Sequence, residues 1–96
     1  MELEIKNLQD QRMFVAEVEG KKAFVQYILV KQRIIFTHTE VPVGLEGKGV
    51  GSKLAKHVLE YAKEHELKVM PLCPFIAGYM SRHPEYKSLL VPGVNV

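Results

Sequence analysis

The chain is poor in the residues that staple or anchor a small protein: its 96 residues include one cysteine, Cys73, and no tryptophan. A lone cysteine excludes an internal disulfide and agrees with a reducing compartment. The apolar runs are too short to cross a bilayer, and Met1-Glu2-Leu3-Glu4-Ile5-Lys6 alternates acidic with apolar residues where a signal peptide is basic and then apolar. A cytoplasmic protein without membrane attachment is expected. Charge is nearly balanced, with a net +2 and a pI near 8.7, short of the concentrated basic face that nucleic acid requires. His57, His65 and His83 fall on different predicted elements with no cysteine pair and no zinc spacing, so no metal is expected. Internal repeats, linkers and low-complexity segments are also lacking.

What remains is one domain, residues 1–96, with 47% hydrophobic and 25% charged residues. A chain of this size buries about 60–65% of its unfolded surface, enough for one modest core. Met13 to Glu19 alternates, with Phe14, Ala16 and Val18 on one side, and Glu19-Gly20-Lys21 turns into a second strand over Ala23 to Val30. Lys31-Gln32-Arg33 leads into a third, Ile34 to Val41, and a weaker strand lies near Leu3 to Leu8. These form an antiparallel meander. A helix over Val50 to Glu64 carries Val50, Leu54, Ala55, Val58, Leu59, Tyr61 and Ala62 on one stripe. The apolar run Leu67 to Leu72 then completes a right-handed β-α-β crossover, which makes it parallel to Ile34–Val41. Pro71 cannot donate a ladder bond, so this strand pulls away from its partner. Pro74 opens a short C-terminal helix, Phe75 to Arg82, which stops before Pro84. The expected class is α+β with a mixed twisted sheet.

The most informative segment joins the third strand to the helix: Thr39-Glu40-Val41-Pro42-Val43-Gly44-Leu45-Glu46-Gly47-Lys48-Gly49-Val50-Gly51-Ser52-Lys53-Leu54. Gly47, Gly49 and Gly51 remove Cβ atoms just where a helix begins, and the first helical turn offers N–H groups without partners and the positive end of the dipole. An anion, best a pyrophosphate, fits there. The nucleotide-hydrolase loop needs Gly-x-x-x-x-Gly-Lys-Ser/Thr, but Gly49 follows Lys48 and Val50 stands where the lysine belongs when counting from Gly44. The dinucleotide fingerprint also fails, because Ser52 or Leu54 takes the place of its last glycine. Lys48, Lys53 and Lys56 cluster near the loop, either for a small anionic cofactor or as solvated helix lysines.

Glu46-Gly47-Lys48-Gly49-Val50-Gly51 resembles the coenzyme A signature of the GNAT acetyltransferase superfamily, Arg/Gln-x-x-Gly-x-Gly/Ala, with Glu46 replacing the usual Arg or Gln. His38-Thr39-Glu40-Val41-Pro42, Pro71-Leu72-Cys73-Pro74-Phe75 and His83-Pro84-Glu85-Tyr86 are similar to segments of the minimal, single-domain GNAT proteins, and the resemblance runs from Phe14 to Leu90. It implies that amides from Leu45 through Glu46, Gly47, Lys48, Gly49 and Val50 to Gly51, with Ser52, bind the pyrophosphate of acetyl-CoA. It further implies that the parallel strands splay, that backbone groups of Val41 and Val43 pair with the pantetheine arm, and that Pro74 and Tyr79 border the cofactor; Arg82 either touches the cofactor phosphates or is simply exposed.

Four residues are candidates for chemistry. Cys73 lies just before a helix start, where free amides favour a thiolate; a buried small hydrophobe is the alternative. His38 and Glu40, two apart on one strand, share a face, and either can take a proton from an amine; the alternatives are a hydrogen-bonded core histidine and a solvated strand end. By the resemblance Tyr79 protonates the departing coenzyme A thiolate, with core packing the competing role. The expected function is an acetyl-CoA-dependent N-acetyltransferase that passes an acetyl group to an amine, small molecule or protein, by direct attack or through Cys73. The competing expectation is a coenzyme A sensor or adaptor without catalysis. Oligomeric state leaves no mark on the sequence.

Overall fold

The computed structural model describes residues 4–45, 47 and 49–94. Five strands form one sheet in chain order: β1 (Ile5–Leu8), β2 (Met13–Val18), β3 (Lys21–Val30), β4 (Arg33–Glu40) and β5 (Lys68–Pro71). The first four pair antiparallel and β5 runs parallel to β4. Helix α1 (Val50–Glu64) makes the crossover and α2 (Pro74–Arg82) follows β5. The architecture is the expected α+β arrangement, with strand ends displaced by one or two residues. Short 3-10 segments at Gln9–Gln11 and Pro84–Leu89 carry no periodic apolar signal and were not anticipated. Leu3, the start of the expected first strand, lies outside the described residues.

Alternation decides which side of the sheet is covered. Phe14 and Ala16 of β2, Ala23, Val25 and Tyr27 of β3, and Ile34 and Phe36 of β4 are buried and share one face. Onto them fall Val50, Leu54, Ala55, Val58, Leu59 and Ala62 of α1 with Ile76, Tyr79 and Met80 of α2, all in one core cluster. The stripe read from the sequence is therefore the packing face, with Tyr61 at its margin against the Phe14 ring. Among the described residues of β2, β3 and β4, none that points the other way is fully buried. That second face is open.

Two local irregularities shape the C-terminal ends of the central strands. In the β3–β4 ladder Gln26 pairs with His38 but Tyr27 pairs with Phe36, so Thr37 is an extra residue in β4. Such a bulge shifts the alternation by one. Before it Ile34 and Phe36 face the helices; after it Thr39 does, opposite Val25. His38 and Glu40 are thereby turned to the open face, opposite Gln26 and Phe24.

The second irregularity is at Pro71, which pairs with Phe36 in the last rung between β4 and β5. A regular parallel ladder would continue through the next N–H, that of Leu72, but Leu72 bonds back to the Met70 carbonyl at 3.2 Å and its side chain is 63% exposed. The Phe36 carbonyl instead accepts from the N–H of Cys73 at 2.9 Å. The chain then enters α2, and β4 runs on through Glu40 with no β5 partner. The expected splay is present, and Pro71 lies at its apex.

Because Phe36 is fully buried at that apex, Phe36→Ala should cost about 3–5 kcal/mol of unfolding free energy by urea titration. A loss below about 1 kcal/mol would show that the apex does not depend on this ring.

Candidate active site

The glycine segment leaves β4 through a turn in which the Leu45 N–H donates to the Pro42 carbonyl at 3.0 Å. This corrects one sequence expectation: the Leu45 amide is already engaged, and its side chain is buried in the core. The run of available donors begins later. Gly49 caps α1 with φ 76°, in the left-handed region, and Lys53 N–H donates to the Gly49 carbonyl as the first helical bond. The N–H groups of Val50, Gly51 and Ser52 therefore precede any intrahelical acceptor, and no side chain caps them. Glu46 and Lys48 lie outside the described residues.

Gly47, Gly49, Gly51 and Ser52, with Val41, Leu45 and Phe75, line a cavity of about 610 Å³ at this helix start. A Cβ placed on Gly49 would meet nothing within 4 Å, so that glycine serves the left-handed backbone and the open cradle. Gly51 has a different reason to be glycine. A Cβ there would stand 2.7 Å from Phe75 Cζ and 3.4 Å from Val41 Cγ2, so its absence lets α2 and β4 close on the first turn of α1. The cradle fits a phosphate: three donors at a helix start, a dipole end and, among the described residues, no atom within 4 Å of where a Gly49 Cβ would stand. The Val43 side chain is 83% exposed, and its carbonyl accepts from the Lys21 ammonium at 3.1 Å, which ties the β2–β3 hairpin to the loop.

The splayed strand ends hold the remaining candidates in two groups. On the helix face Cys73, the residue before α2, is 3% exposed, and its thiol donates to Thr39 Oγ1 at 3.0 Å. Pro74, the first residue of α2, is exposed beside it. On the open face His38 and Glu40 are exposed, with the His38 ring 6.0 Å from that of Phe24. His38 is therefore not a core histidine. The bulge keeps Cys73 on one face of the gap and His38 and Glu40 on the other.

Tyr79 and Arg82 stand farther along α2. Tyr79 is 5% exposed, stacks on His83 at 4.0 Å and lies 6.2 Å from Tyr86, whose hydroxyl donates to Glu60 Oε2 at 2.6 Å. Burial, then the negative charge of Glu85, pushes the Tyr79 phenol up, opposed by Arg82. The Tyr86 phenol is raised further, by burial and by its bond to Glu60. Tyr79 thus belongs to an aromatic and carboxylate cluster and is absent from the lining of the glycine cavity. The histidines considered for metal each contact an aromatic ring: His57 meets Phe14, His65 stacks on Tyr61, and His83 stacks on Tyr79.

Sequence reasoning missed Thr39, Phe75 and Lys21. Thr39 gave no signal because simple alternation from Ile34 and Phe36 puts it on the open face. Phe75 was legible only as a helix residue beside Cys73 and Pro74.

Comparison with known proteins agrees with a glycine cradle set beside splayed parallel strands. The profile of the GCN5-related N-acetyl-transferase family matches residues 13–89. The chain belongs to this family. Members transfer acetyl groups, generally from acetyl-CoA, and the GNAT fold match makes this chain an N-acetyltransferase of minimal size. It is similar to protein NATD1 of Homo sapiens, 33% identical over 87 residues that cover 85% of this chain and 77% of the relative. NATD1 of Mus musculus is 30% identical over 95 residues, covering 94% of this chain and 86% of its own. The solution structure of a GCN5-like protein from Staphylococcus aureus superposes with a TM-score of 0.68 at 31% identity, covering 93% of this chain and 88% of that one. Among the described residues no helix is long and apolar enough to cross a membrane.

The burial of Cys73 makes a direct prediction: a thiol reagent such as Ellman's should label the folded protein slowly and the denatured protein at once. Equal rates in both states would contradict the enclosed Cys73–Thr39 pair.

Proposed function

We propose that this GNAT protein transfers the acetyl group of acetyl-CoA to a primary amine by direct attack across the gap between β4 and β5. The observation that carries this reading is the partition of the gap. The glycine cradle and the Val41 edge border its helix side, while His38 and Glu40 project on the open side. Pyrophosphate held by the N–H groups of Val50, Gly51 and Ser52 directs the pantetheine arm along the unpaired edge of β4. The arm then takes the place of the missing strand, its amides pairing with backbone groups near Val41. Thioester and amine approach from opposite sides of the sheet, so that the nitrogen can add to one face of the planar carbonyl carbon.

The amine must be neutral when it attacks, and His38 is assigned as the general base, the role that imidazole fills most often. Glu40 draws the incoming ammonium. His38 takes one proton from that ammonium and passes it to solvent; the neutral nitrogen then adds to the carbonyl carbon and gives its second proton to His38, and the C–S bond breaks with the thiolate taking up a proton from solvent or from a side chain on the helix side. Cys73 is less suited to carry the acetyl group, being enclosed and hydrogen-bonded to Thr39. Its proposed role is to hold the end of β5 against β4. Tyr79, packed among His83 and Tyr86, is assigned to the α2 core, and Arg82 to the exposed end of that helix.

Three variants test the reading. Gly49→Val, which forces a branched side chain into a left-handed cap, should abolish coenzyme A binding by calorimetry with the fold intact by circular dichroism. His38→Ala should leave binding unchanged and lower kcat by about 10²-fold. Cys73→Ala should retain acetyl transfer. Loss of transfer in Cys73→Ala with binding and fold intact would replace direct attack by the cysteine route. Binding of acetyl-CoA with no turnover on any amine would make the protein a sensor.

A further inference from the structure

The open sheet face is the largest feature the transfer reading leaves unused, and it is continuous with the gap. Pairing registers align one row of side chains across four strands: Lys6 opposite Val15, Val15 opposite Phe24, and Phe24 opposite Glu40. A cavity of about 390 Å³ occupies the far end of this row, between β1, β2 and β3, and Val15 and Lys6 line it together with Lys22 and Glu17. The row therefore runs from a cavity, over an apolar saddle of Val15 and Phe24, to the exposed His38 and Glu40 beside the gap. Its length, three strand spacings, is about 14 Å, which is the reach of about four extended residues.

We propose that the acceptor is a lysine-bearing polypeptide laid in extended form along this row, with its target ammonium at Glu40 and His38 and its flanking residues over Phe24 and Val15. This rests on the acetyl-transfer reading above and names its substrate class. Chemistry along the row selects among amines. A small monoamine would occupy only the Glu40 end, on a surface with none of the enclosure that holds small ligands. A polyamine long enough to span the row would put its far ammonium in a cavity where Lys6 and Lys22 offset Glu4 and Glu17, leaving no net negative charge to draw it. The mixed end, where Lys6 pairs with Glu4 at 3.6 Å and Glu17 sits opposite Lys22, suits the polar side chains and backbone of a peptide. Phe24 and Val15 supply the apolar contact between the two ends.

The experiment compares a pool of octapeptides, each with one central lysine and blocked ends, against N-acetyl-lysine amide, which carries the same ammonium without neighbours. Wild-type protein should acetylate the pool with kcat/KM at least ~10-fold above the amide. Val15→Arg and Val15→Asp should each erase that advantage while leaving the KM for acetyl-CoA and the turnover of the amide unchanged. Two variants are used because either alone could unfold, which circular dichroism detects. Equal use of amide and peptides, or equal loss on both in the variants, overturns the peptide acceptor and leaves the acetyltransferase reading standing. A dimer dissociated by Val15→Arg in sedimentation would also overturn it, giving the face to a second copy. Absence of acetyl-CoA binding by wild-type protein in native mass spectra would bring down the transfer reading itself, and the proposal with it.

Discussion

A strand in a parallel ladder donates to one neighbour through alternate N–H groups, and in the series that starts with Lys68 donating to Gln32 the one due at the Phe36 carbonyl is that of Leu72. The geometry of this molecule depends on that bond not being made. Leu72 turns back to Met70, and the Phe36 carbonyl is taken by the N–H of Cys73, one residue too late for the strands to stay in step. Backbone groups of β4 beyond Phe36 that point toward β5 are then left without a strand. Unpaired backbone groups are costly to bury, so these favour either solvent or a ligand that presents amide groups of its own. The gap is thus a preformed vacancy in a ladder, and α1 starts close to its wide end because the chain leaving β4 has only the Val41–Gly49 loop in which to reverse.

The bulge at Thr37 does the complementary work. Without it, alternation from Ile34 and Phe36 would aim His38 and Glu40 into the helix-covered core, where an ionised carboxylate without a partner could not persist. With one residue inserted, Thr39 faces inward to the Cys73 thiol and the two titratable groups face outward beside Phe24. One sheet thereby offers two chemically different approaches to the same gap, apolar and backbone-lined from the helix side, polar from the other. Bulges are frequent beside active sites for this reason: they re-aim side chains without lengthening the fold.

Much of this was legible in the sequence, and the boundary is instructive. The α1 stripe, the meander, the crossover and the helix opened by Pro74 all follow from period and punctuation, and the structure has them within a residue or two. The splay was expected from Pro71 and is present, but the ladder bond that fails is that of Leu72, the residue after the proline. The side on which His38 lies was not legible, since a bulge is a one-residue event in the pairing of two strands and leaves no periodic trace in either. The use of the Leu45 amide by Pro42 and the pressure of Phe75 on Gly51 were hidden for a related reason. The first is a turn within the loop and the second a contact between α2 and the start of α1, and a glycine in a ligand-binding pattern looks the same whether it makes room for a phosphate or for a neighbouring ring.

The most direct measurement is a titration of ¹⁵N-labelled protein with coenzyme A, with the amide chemical shifts read at each addition. Perturbations are expected at Gly47 and Val50–Ser52, where the phosphates bind, and along 37–41, the unpaired part of β4 and the residue after it. The zipped part, 33–35, should stay still. Shifts confined to the glycine loop, with 37–41 unmoved, would contradict the assignment of the gap opened at Pro71 as the slot for the thioester arm.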